Sequence, residues 1–74
     1  MKLLKYEKRN SYKGEVVDFD IELEEGVYTT VTYDEVENQM TVWPFDAGQS
    51  RGREEEIKWF LIPIIKKLKK EKKI

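Results

Sequence analysis

Four carboxylates at alternate positions, Asp18, Asp20, Glu22 and Glu24, are the residues of this 74-residue chain whose type and spacing most suggest chemistry. Side chains two apart on a strand share a face and stand ~6.6–6.8 Å from one another. That interval is close to the separation of successive phosphates along a nucleic-acid strand, whose axial charge repeat is ~3.4 Å per strand. A row of four could therefore imitate a backbone and occupy the basic groove of a nucleic-acid-handling protein. Neighbouring carboxylates at this spacing repel by roughly 0.6 kcal/mol unscreened in water, and by less at physiological salt. The plainer reading is a solvated strand face whose charge discourages aggregation. The same run suits a metal ion poorly, because carboxylates spread along a straight strand converge badly on one centre. No metal or cofactor is expected.

A second set is basic. Lys66, Lys67, Lys69, Lys70, Lys72 and Lys73 crowd the C-terminal segment near Trp59, Phe60 and Ile62, and Arg51 and Arg53 lie just upstream. Arg51, Arg53, Lys66, Lys67, Lys69, Lys70 and Lys73 form an alternative site for an anionic surface, nucleic acid or membrane. The plainer reading is that lysines favour helix C-termini and keep them soluble. Catalysis has little to draw on. The chain has no histidine and no cysteine, and its two serines, Ser11 and Ser50, fall in loop-like stretches. Acid–base work by paired carboxylates needs one of them in an apolar pocket, which a solvent-facing ladder does not offer. A non-enzyme without a small-molecule substrate is expected.

The charges are sorted along the chain. All ten charged residues between Gly14 and Ser50 are acidic, whereas residues 1–13 carry five basic groups against one acidic, and residues 51–74 nine against four. A formal net charge of −1 thus hides a divided molecule. The longest apolar run, Trp59 to Ile65, is far short of the ~20 residues that span a bilayer. Met1 to Tyr6 is too short and too charged for a secretory h-region. These features read as a cytoplasmic protein.

The elements that would position these residues follow from periodicity. Val17, Phe19, Ile21 and Leu23 alternate with the ladder over Val17–Glu24, the pattern of a strand with one wet face. Val27–Asp34 is rich in β-branched and aromatic residues. A three-residue loop, Glu24 to Gly26, pairs Leu23 with Val27, Ile21 with Thr29, Phe19 with Val31 and Val17 with Tyr33, and it gathers one apolar face. Gln39–Phe45 is a third strand with Met40 and Val42 inward. That parity leaves Trp43 and Phe45 on the outer face with Tyr28 and the carboxylates, where they would anchor a partner. Leu3–Lys8 is an edge strand guarded by lysines.

Residues 47–53 read as a loop and 54–73 as a helix, with Glu54, Glu55 and Glu56 in its first turn and lysines in its last. Ile57, Phe60, Leu61, Ile64, Ile65 and Leu68 make its apolar stripe. Trp59 and Ile62 point elsewhere, as a homodimer seam would. Pro63 in a regular helix interior costs ~3 kcal/mol and predicts a kink, or a break into a second short helix. The expected architecture is α+β, one domain over residues 1–74. It comprises a basic N-terminal strand (1–13), an acidic antiparallel meander (14–46) and a C-terminal helix packed on one face.

In size and charge layout the chain is similar to the small acidic proteins that phages direct at host nucleic-acid machinery, anti-CRISPR and anti-restriction inhibitors among them. No motif carries that similarity. What it implies is a viral DNA-mimic inhibitor acting by protein–protein interaction in the host cytoplasm. Its partner would be a host nucleic-acid-binding protein or nuclease, met by Asp18, Asp20, Glu22, Glu24, Tyr28, Trp43 and Phe45. The basic helix is the runner-up site, and head-to-tail self-association of opposed charges a third reading.

Overall fold

A computed structural model describes residues 1–12, 14–44 and 53–74, apart from the side chains of Trp43 and Pro44. The alternating segment becomes the central strand β2 (Gly14–Glu24), flanked by β1 (Lys2–Ser11) and β3 (Val27–Asp34), with β4 (Gln39–Pro44) beyond β3. All neighbours are antiparallel in the order β1-β2-β3-β4, a meander with β1 and β4 as its edges. Helix α1 (Glu54–Lys70) covers one face, so the expected α+β architecture is the one observed.

Core and register agree with the alternation. Val17, Phe19, Ile21 and Leu23 of β2 are buried together with Val31 and Tyr33 of β3 under Ile57, Leu61, Ile65 and Leu68 of α1. Val17 faces Tyr33, Phe19 faces Val31 and Ile21 faces Thr29, as expected. The turn differs. Val27 pairs with Glu24, not Leu23, and the extra residue is accommodated as a bulge at Leu23. The bulge keeps the Leu23 side chain buried while the strand closes through Glu25 and Gly26, whose φ of 80° is the left-handed geometry a tight hairpin requires.

On β4, Met40 lies opposite Tyr33 and Val42 opposite Val31, both half-buried against the core. The backbone of Trp43 therefore sits opposite Thr30. The expected anchoring roles of the Trp43 side chain and of Phe45, and the cationic role of Arg51, fall outside the described residues. On the other edge, Tyr6 pairs with Phe19, their ring centroids 6.2 Å apart, and Leu3 pairs with Ile21 across a bulge at Leu4.

The helix runs unbroken through Pro63, and the alternative of a second helix opening there is not realised. Apolar residues at helical spacing continue on both sides of the proline, Ile57 and Leu61 before it, Ile65 and Leu68 after it. Pro63 itself is exposed, so the carbonyl it leaves without a donor lies on the wet side, open to water. Phe60 and Ile64, expected in the stripe, are half-buried along its flank.

The helix ends at Lys70 rather than 73. Lys72 adopts φ 60°, its N–H donates to the Lys69 carbonyl at 3.1 Å, and the Lys73 N–H reaches back to Leu68 at 2.9 Å. This is a Schellman stop. It turns the chain so that Ile74 packs on the core.

Candidate functional site

The ladder occupies the sheet face opposite α1, as the alternation requires, but β1 lies against it. A hairpin closing at Ser11 and Gly14 sets Arg9 opposite Val16, Glu7 opposite Asp18 and Lys5 opposite Asp20. Arg9 Nε donates to Asp18 Oδ2 at 2.6 Å, and Thr32 Oγ1 donates to the other oxygen at 2.7 Å from β3. Asp20 accepts from Thr30 Oγ1 at 3.0 Å and has Lys5 Nζ at 3.6 Å. Partial desolvation raises the Asp18 pKa. The hydrogen bonds from Arg9 and Thr32, with the arginine charge, outweigh it and hold the carboxyl below its ordinary value. Lys8 and Glu15 pair at 3.3 Å nearby.

The other two ladder residues differ. Glu24 has Arg53 at 3.6 Å, and the same guanidinium meets Glu56 at 3.3 Å in the first turn of α1. The bond to Glu56 is the main reason that Arg53 sits above the usual arginine range, so this cation is engaged rather than free. The contact also draws the start of α1 to the β2–β3 turn. At that end Glu22, Glu25, Glu54 and Glu55 have no cation within ion-pair distance among the described residues. Tyr28 pairs with Glu22 and is exposed.

The basic set is arranged by α1. With the core stripe inward, Trp59, Pro63, Lys66 and Lys70 fall on the opposite side at helical spacing, flanked by Lys67. Trp59 is 72% exposed. Among the described residues, Lys66, Lys67, Lys70 and Lys72 have no carboxylate within ion-pair distance, and Lys73 has only Glu71 at 3.8 Å.

Lys69 has a different task. Its Nζ donates to the Tyr33 hydroxyl at 2.6 Å and stands 4.9 Å from the ring centroid, while the hydroxyl donates to Asn38 Oδ1 at 2.8 Å. This clamps the end of α1 to the β3–β4 turn. That turn is itself shaped by Asp34 Oδ1, which accepts from the N–H groups of Val36 and Glu37, and by Asn38 at φ 56°. Ile62, half-buried, lines a cleft of about 450 Å³ between α1 and this turn.

Alternation alone brings the ladder to one face, whereas its pairing with the basic β1 depends on the register of that strand. The signal was present in Gly14. Gly14 holds φ 121°, and its pairing with Ser11 sets the β1 register that puts Lys5 and Arg9 beside Asp20 and Asp18.

No protein-family model, curated protein or solved structure matches this chain. Among the described residues no group of three or more acidic side chains is placed to hold a metal ion. No described helix is long and apolar enough to cross a membrane.

Proposed function

We propose that this chain is a non-enzymatic binding module that docks on a nucleic-acid backbone through the solvent side of α1. Lys66, Lys67, Lys70 and Lys73 meet phosphates, and Trp59 offers an aromatic face for a base. One contrast carries the reading. Asp18 and Asp20 of the ladder are paired with Arg9 and Lys5, whereas among the described residues Lys66, Lys67 and Lys70 have no carboxylate within ion-pair distance and Lys73 has only Glu71 at 3.8 Å. Helical spacing supports it, because it sets Lys66 and Lys70 on the side that carries Trp59. Lys66 and Lys70, one turn apart, are separated by a rise of about 6 Å. Phosphates suit this array better than lipid does. An interfacial helix needs a free apolar face, and α1 spends its own on the core, leaving Trp59 as the one large exposed apolar residue it carries.

The test is fluorescence anisotropy with a labelled single-stranded oligonucleotide over a salt series. Each engaged lysine contributes about 0.7 to the slope of log affinity against log salt. The Lys66→Gln, Lys67→Gln, Lys70→Gln variant should bind more weakly and with a slope shallower by about 2. Wild-type binding that survives the triple substitution, or no binding at low salt, ends this reading.

A second reading keeps the acidic inhibitor, moved along the molecule. Among the described residues Glu22, Glu25, Glu54 and Glu55 have no cation within ion-pair distance, and a DNA-mimic or anti-CRISPR-type contact with a host nucleic-acid-handling protein would use them rather than Asp18 and Asp20. A pull-down in which Glu-to-Gln changes at these four positions abolish capture of a nuclease or DNA-binding protein, while Asp18→Asn does not, would favour it.

A further inference from the structure

We propose that the cleft between the second half of α1 and the β3–β4 turn binds a small amphipathic anion, an apolar chain or ring bearing one carboxylate-type head. Its floor is apolar, formed by Met40 of β4 with Ile62 and Ile65 of α1, and its rim is Tyr33, Asn38, Lys66 and Lys69. At about 450 Å³ it falls within the range of small-ligand clefts, roughly 300–1,000 Å³.

The rim's hydrogen-bonding capacity follows from Tyr33. Its hydroxyl accepts from Lys69, so its single proton goes to Asn38 Oδ1. The carboxamide oxygen of Asn38 thereby accepts a bond, and among the described residues its NH2 group donates none. Lys69 retains two of its protons and Lys66 all three. Among the described residues no aspartate or glutamate lines the cleft.

A rim of donors carrying two positive charges above an apolar floor selects an anionic head with an apolar tail. It rejects a cation by charge and offers a neutral chain only its floor. The clamp through Tyr33 holds Lys69 and Asn38 in place before a ligand arrives, which limits the ordering cost of binding. This site does not depend on the nucleic-acid reading and shares only Lys66 with it.

The experiment is a titration of the ¹⁵N-labelled protein with decanoate below its micelle concentration, followed by heteronuclear NMR. Decanol, acetate and decyltrimethylammonium serve as parallel probes. Decanoate should give saturable shifts at the Asn38 side-chain NH2 and the Met40 and Ile62 amides, while the other three bind more weakly or not at all. Lys66→Gln, at an exposed position that leaves the fold intact by amide dispersion, should weaken decanoate binding about fivefold. The Lys67→Gln, Lys70→Gln variant should leave decanoate binding unchanged while weakening oligonucleotide binding, which separates the two readings. Shifts that do not saturate overturn the proposal. So does a response to decanol or to the cationic amphiphile equal to that for decanoate, or a Lys66→Gln variant that binds decanoate as wild type does.

Discussion

Replacing Tyr33 by Phe removes one oxygen from the clamp and leaves the rest of the residue in place. The ring is 1% exposed and packs among Val17, Val31 and the α1 stripe, and phenylalanine fills the same volume. The cation over the ring, 4.9 Å from its centroid, also survives the change, since a phenyl face attracts an ammonium too. What is lost is the bond accepted from Lys69 at 2.6 Å and the bond donated to Asn38 at 2.8 Å. A neutral hydrogen bond contributes about 0.5–1.5 kcal/mol net and one to a charged group about 1.5–3 kcal/mol. Lys69 and Asn38 are both exposed and become rehydrated once released, so neither is stranded. The expected loss therefore lies at the low end, about 1–2 kcal/mol.

Urea denaturation followed by circular dichroism reads this as a lower midpoint with an unchanged slope. In a domain of this size each kcal/mol lowers Tm by about 4–8 °C. Combined with Lys69→Met, the double-mutant cycle should return a coupling of about 0.5–1 kcal/mol. A loss under about 0.3 kcal/mol, or no coupling to Lys69, would show that the hydroxyl does not join the helix to the turn.

The remaining predictions concern the helix stop, the ladder and the core. Lys72 holds φ 60°, a conformation that costs an L-residue about 1–2 kcal/mol, so Lys72→Gly should stabilise the fold by about 0.5–1 kcal/mol in thermal melts while Lys72→Ala gives no gain. The depressed pKa of Asp18 means that its contribution to stability is complete above the ordinary carboxylate value of 3.8 and is lost as pH falls below it through the folded pKa. Urea midpoints of wild type and Asp18→Asn should accordingly differ at pH 7 and converge in strong acid; a gap that widens in acid would contradict the pairing with Arg9. Leu61 is fully buried at the centre of the α1 stripe, and Leu61→Ala should cost about 2–5 kcal/mol, a large part of the total stability of a domain this small. Calorimetry should find the variant unfolded or melting well below wild type.

The fold was largely legible because its elements announce themselves locally. Strict alternation over Val17–Glu24 admits only a strand with one buried face, and the spacing of Ile57, Leu61, Ile65 and Leu68 admits only a helix lying on it. The hairpin register was legible as far as Ile21 and Thr29, since a one-residue slip would carry the apolar set to the wet side. The bulge at Leu23 was not, because a three-residue loop and a bulged two-residue loop bury the same residues. Pro63 was weighed by its intrinsic cost, which ignores that an exposed position lets water take the place of the missing donor.

The sequence by itself determined which residues exist to be charged, which face of each element is apolar and hence the α+β arrangement. Alternation and helical spacing are properties of adjacent residues, and burial follows from them directly. Only the tertiary structure decided which charges remain uncompensated. Arg9 meets Asp18, Lys5 meets Asp20 and Lys69 meets Tyr33 across gaps of 9, 15 and 36 positions in the chain. An ion pair depends on separation in space, falling off with distance and screened beyond about 8–10 Å. The side chains within that radius are set by strand pairing and helix docking, and that is why the carboxylate ladder, so plain in the sequence, is the partly neutralised face and the lysine helix the open one.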